Sequence, residues 1–100
     1  MKNKIISILK KIIDPEIKIN IYDLGLIYKI KYNKLVKSIF ILMTLTTPNC
    51  PLVDKIINKI KYKIKKKIPF IKEINIKLTF NPVWNINMMT DEAKFKLGLF

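Results

Sequence analysis

Histidine, arginine and glutamine are missing from this chain; cysteine, alanine and tryptophan occur once each and glycine twice. Without His there is no imidazole ligand for a metal and no His-based dyad or triad for nucleophilic catalysis. The lone Cys50 cannot form an internal disulfide, which fits a reducing cytoplasm. No apolar run approaches the ~18 residues that a transmembrane helix needs. The N-terminal MKNKIISILKKIIDP starts basic, but Lys10 and Lys11 interrupt its apolar residues and no small-residue cleavage site follows. It reads as an amphipathic helix and not as a secretory leader, so no membrane partner is expected.

The missing arginine also decides how the charge is read. Twenty lysines against seven acids give a net charge of +13. Lys, Ile and Asn make up half of the chain, while residues with G/C-rich codons are scarce. That pattern matches mutational drift in an A/T-rich genome, which supplies lysines with no nucleic acid requiring them. Nucleic-acid readers favour Arg for bidentate contacts. The charge therefore predicts salt-sensitive sticking to polyanions and no specific nucleic-acid partner. A basic nucleic-acid-binding module is the least favoured alternative.

Half of the residues are hydrophobic and ten are aromatic, enough for one compact core and unlike a disordered chain. Ile5, Ile6, Ile8, Leu9, Ile12 and Ile13 recur at helical spacing and predict a helix over 2–12, stopped by Asp14-Pro15. GLIYKIKYN (25–33) alternates, with Leu26, Tyr28, Ile30 and Tyr32 on one face; VKSIFILMTL (36–45) is apolar on both. These predict an antiparallel hairpin whose second strand is central, joined by a turn without Gly. Val53, Ile56, Ile57, Ile60 and Ile64 form the stripe of an amphipathic helix over 52–67, its lysines solvated. KEINIKLTF (72–80) predicts a strand with Ile74, Ile76, Leu78 and Phe80 inward. After a loop, Thr90 suits an N-cap, Asp91 and Glu92 a first turn and Gly98 a helix end. The order α-β-β-α-β-α predicts a compact two-layer α/β sandwich with a mixed sheet of three or more strands, one domain over 1–100.

Cys50 lies in TLTTPNCPL (44–52), where strand gives way to helix. Pro51 suits a first helical position, which would put Cys50 at the N-cap. There, free N–H groups and nearby lysines favour thiolate, and Asp54 in the first turn opposes it. Pro48, Asn49 and Pro51 make a loop and not a core run, against a merely buried cysteine. A thiolate without His or a second Cys is a poor nucleophile or disulfide catalyst but still a soft ligand for iron or zinc. Iron–sulfur clusters usually need about four protein ligands. Any cluster here would be shared with another subunit, a partner or small thiols, and would be labile. Asp14 and Glu16 could add carboxylates or simply stop a helix. Asp23 reads as a turn cap before Gly25. Thr46 and Thr47 offer hydroxyls beside the thiol. Met88 and Met89 read as core or contact surface more readily than as soft ligands.

Taken together, DPEIKINIYDLGLIYKI, MTLTTPNCPLVD, FNPVW and MMTDEAKFKLGLF, in this order and spacing, resemble the SufT/PaaD-like metal-sulfur cluster biosynthesis family, the MIP-eighteen-like domain. The resemblance runs from about residue 2 to the end. It implies a compact α/β fold, no enzymatic turnover and a role in maturing iron–sulfur proteins. Carried across by position, the family's polar site falls on Asp14, Glu16, Thr46, Thr47 and Cys50. Val83 departs from the family, which has a second proline in that segment. The expectation is an accessory factor for iron–sulfur cluster assembly or transfer in a cytoplasmic, SUF-type system. Cys50 would hold iron or a cluster transiently, with no nucleotide cofactor. Partners would be assembly proteins and apo-clients, with a homodimer possible. The alternatives are a metal-free adaptor and a phenylacetate-degradation (PaaD-like) maturation factor.

Overall fold

The computed structural model describes residues 1–46 and 50–99, and for residues 50 and 51 the backbone alone. In chain order the elements are α1 (Lys2–Leu9), β1 (Ile27–Asn33), β2 (Ser38–Met43), α2 (Cys50–Lys67), β3 (Glu73–Leu78), a 3-10 turn (Ile86–Met88) and α3 (Asp91–Lys96). The sheet order is β1-β2-β3, with β1 antiparallel and β3 parallel to the central β2. This is the mixed-sheet α/β architecture expected from α-β-β-α-β-α. Strand β2, helix α2 and strand β3 form the crossover that a parallel pair requires.

One sheet face carries the core. In-register pairs Ile39–Ile74, Ile41–Ile76 and Met43–Leu78 stack there, with Ile30 opposite Ile41. Against them pack Ile5, Ile8 and Leu9 of α1 and Leu52, Ile56, Ile60 and Ile64 of α2 in one buried cluster. The other face alternates Phe40 and Leu42, half-buried, with exposed Lys29, Lys31, Asn75 and Lys77.

The differences from expectation have local causes. Helix α1 ends at Leu9, because Lys11 and Ile12 donate to Ile8 and Leu9 in tightened turns. Ile12 then turns fully into the core. Strand β1 starts at Ile27, and a β-bulge shifts its register between Ile27 and Lys29. That bulge moves Tyr28 out of the inward row, and its hydroxyl donates to the Pro82 carbonyl at 2.8 Å. The hairpin manages without Gly: the Asn33 Oδ1 accepts from the Leu35 and Val36 amides at 3.0 and 3.3 Å, and Lys37 takes φ 52°. Strand β3 stops at Leu78, so Phe80 is not inward but 39% exposed. At the C-terminus Thr90 caps α3 as expected, accepting from the Ala93 amide at 3.2 Å, and Gly98 takes φ 71°.

Candidate functional site

Asp14 sits in the connection between α1 and β1 and holds it closed. Its amide donates to the Ile19 carbonyl and its carbonyl accepts from the Lys18 amide, at 2.9 and 2.8 Å. Ile13 bridges Asn20, and Ile21 donates to Ile12. Residues 12–21 therefore form a tight loop around Pro15 and Glu16, with Lys18 at φ 65°. The Asp14 Oδ1 accepts from the Glu16 and Ile17 amides at 2.8 and 3.0 Å, the turn that a carboxylate before Pro can build.

The other carboxylate oxygen is different. Asp14 is fully buried, and its Oδ2 has no hydrogen-bond partner among the described residues. An unsatisfied buried acceptor costs roughly 1–3 kcal/mol. Native proteins leave few such groups, and each calls for an explanation in strain, catalysis, or a bound water or ion.

Ile13, Pro15 and exposed Glu16 form one wall of a groove of ≈ 390 Å³; Leu52, Lys55, Ile56 and Lys59 form the other. The DPE segment thus lies against the first turns of α2, the helix that Cys50 opens. Cys50 is the first residue of α2 and not its cap, a one-residue difference of the kind helix termini commonly show. Asp54 falls beyond the first turn, which carries no acid. Thr46 is half-buried in a bend after β2. Thr47 and the Cys50 side chain lie outside the described residues. Among the described residues no three of Cys, Asp and Glu converge as a metal cage.

Asn20, and not Asp23 as expected, caps this turn, and the Asp23 carboxylate holds the capping side chain in place. The Asp23 amide donates to the Asn20 Oδ1 and its Oδ2 accepts from the Asn20 Nδ2, both at 2.8 Å. Met89 is core, and the Met88 sulfur lies 3.5 Å from the Tyr28 hydroxyl oxygen. Sequence reasoning missed how strongly this loop holds the C-terminal segment. The Trp84 Nε1 donates to the Leu24 carbonyl at 2.6 Å, and the Thr90 amide donates to the Asp23 carbonyl at 2.9 Å. Gly25 takes φ 82°, and a Cβ there would collide with the Met88 carbonyl oxygen. Asn20 three residues before Asp23 has the spacing of a side-chain cap on a backbone amide and was the available signal; nothing local announces the Trp84 bond.

A three-stranded mixed sheet with two helices on one face, and a DPE loop set against the helix that opens with the only cysteine, define a small class of domain. The chain belongs to the iron–sulfur cluster assembly protein family, whose model matches residues 2–78, and it is SufT-like. It is 43% identical, over 94% of its length and 88% of the relative's, to the Fe-S protein maturation auxiliary factor of Porphyromonas gingivalis. It is 35% identical to the Fe-S protein maturation auxiliary factor SufT of Staphylococcus aureus, over 88% of this chain and 98% of that one. Among solved structures, a domain of unknown function from Bacillus anthracis superposes with a TM-score of 0.89 at 32% identity, covering 98% of this chain and 92% of that chain. These relatives are named as auxiliary factors and not as enzymes. No helix among the described residues is long and apolar enough to cross a membrane.

Proposed function

We propose that this protein, as one domain over residues 1–100, is a non-enzymatic accessory factor that carries iron or an iron–sulfur cluster toward apo-proteins in a cytoplasmic, SUF-type system. Its cargo would sit on the Cys50 thiolate at the head of α2, with Asp14, Glu16, Thr46 and Thr47 around it. The observation that carries this reading is the Asp14 carboxylate. One oxygen accepts from two amides that hold the loop, and the other is buried and has no partner among the described residues. A hard carboxylate oxygen and a soft thiolate together suit iron. Lys55 and Lys59 on the facing wall would offset the negative charge of a thiolate-ligated cluster. One cysteine leaves most of the coordination open, so a second copy, an assembly protein or the client supplies the rest. That incompleteness makes release easy.

Anaerobic reconstitution with ferrous iron and sulfide tests it. The wild-type protein should gain visible charge-transfer absorption and bound iron. Cys50→Ser should lose both. Asp14→Asn keeps an Oδ1 acceptor for the Glu16 and Ile17 amides but buries an NH2 group in place of Oδ2, a cost of roughly 1–3 kcal/mol; with circular dichroism showing it folded, it should bind less iron. No absorption in any of the three would overturn the cargo reading.

A metal-free adaptor that docks clients to the assembly machinery is the second reading. It is favoured by the purely structural duty of the Asp14 Oδ1, which shapes the DPE loop through backbone amides alone. It predicts that Cys50→Ser still binds a client as wild type does.

A further inference from the structure

A second groove, of ≈ 360 Å³, runs between α1 and the C-terminal part of α2. Lys4 and Lys11 line one side and Lys63, Lys66 and Lys67 the other, and no acid lines it. Its five lysines therefore face one another with no carboxylate in the lining to neutralise them. The groove is not purely ionic. Ile8 contributes a branched aliphatic wall. Tyr62 leaves 65% of its surface exposed, and the Lys66 ammonium lies 5.9 Å from the centre of its ring.

We infer that this groove docks an acidic segment of a partner protein, its carboxylates on the lysines and its apolar residues against Ile8 and Tyr62. Charge complementarity selects the partner's sign. The aliphatic Ile8 between the lysine rows gives an apolar side chain of a peptide a place to pack that a phosphate backbone does not use, and the absence of arginine removes the bidentate phosphate and base contacts that nucleic-acid readers favour. The two grooves use different stretches of α2, Leu52–Lys59 and Tyr62–Lys67. Their centres are about 14 Å apart at ~1.5 Å rise per residue, so docking leaves the DPE groove open. This inference stands whether or not iron is carried.

The test uses fluorescence anisotropy at ~0.15 M salt, where exposed charges farther apart than ~8 Å are largely screened. The probe is a fluorescein-labelled Glu/Asp-rich peptide with one Leu and one Phe. A groove variant, Lys4→Glu/Lys11→Glu/Lys66→Glu, is compared with a sheet-face variant of equal net charge, Lys29→Glu/Lys31→Glu/Lys77→Glu; all six positions are exposed. The groove variant should lose roughly tenfold or more in affinity and the sheet-face variant about twofold or less. Tyr62→Ala, which changes no charge, should weaken the peptide as well. Circular dichroism confirms that each variant is folded. Equal losses in the two triple variants, no peptide binding at all, or a single-stranded oligonucleotide that binds tighter than the peptide and is lost with the groove lysines would each overturn the inference.

Discussion

The two glycines look alike in sequence and differ in what surrounds them. Both take positive φ, which any L side chain adopts at a cost. Around Gly98 the place an added methyl group would occupy has nothing within 4 Å, whereas at Gly25 that group would collide with the Met88 backbone. Gly25→Ala should therefore destabilise by roughly 2–4 kcal/mol and Gly98→Ala by only about 1 kcal/mol. Urea denaturation of the pair measures the difference, and equal losses would show that the close approach to Met88 is not important. Residues such as Gly25 were legible as turn formers. The demand made by Met88 was not, because it comes from a segment more than sixty positions away.

At the scale of elements, sequence periodicity was a good guide wherever one face is buried. In α2 the positions buried are Leu52, Ile56, Ile60 and Ile64, with Val53 and Ile57 half-buried at the margins. Three of the four lay in the stripe read from spacing alone. Ile60 is fully buried at the middle of that helix, so Ile60→Ala should cost about 2–5 kcal/mol. Exposed Asn58→Ala on the same helix should cost little, and a thermal melt separates the two. Periodicity failed where hydrogen bonding overrode it: at the end of α1, at the bulge that diverts Tyr28, and at Phe80. The candidate site was half legible. Asp14 and Cys50 could be picked out by their neighbours, but the division of labour between the two Asp14 oxygens depends on loop closure by Ile19 and Lys18, which no spacing rule encodes.

For the whole molecule, twenty lysines against seven acids leave a net charge of +13, so like charges outnumber their counter-charges and repel. Such repulsion weakens the compact state and is screened by salt. Raising salt from ~0.01 to ~0.15 M should stabilise the fold by roughly 1 kcal/mol, about 4–8 °C in Tm. Scanning calorimetry at the two ionic strengths checks this, and an unchanged or lowered Tm would show that the lysines are too dispersed to matter.

The family match stops at residue 78, yet the bonds from Trp84 and Thr90 land on Leu24 and Asp23, and Asp23 in turn grips Asn20, the partner of Ile13. The polypeptide after Leu78 thus works on the DPE groove at second hand. Cutting it away would remove none of the residues lining that groove and would still unfasten the loop from which one wall is made.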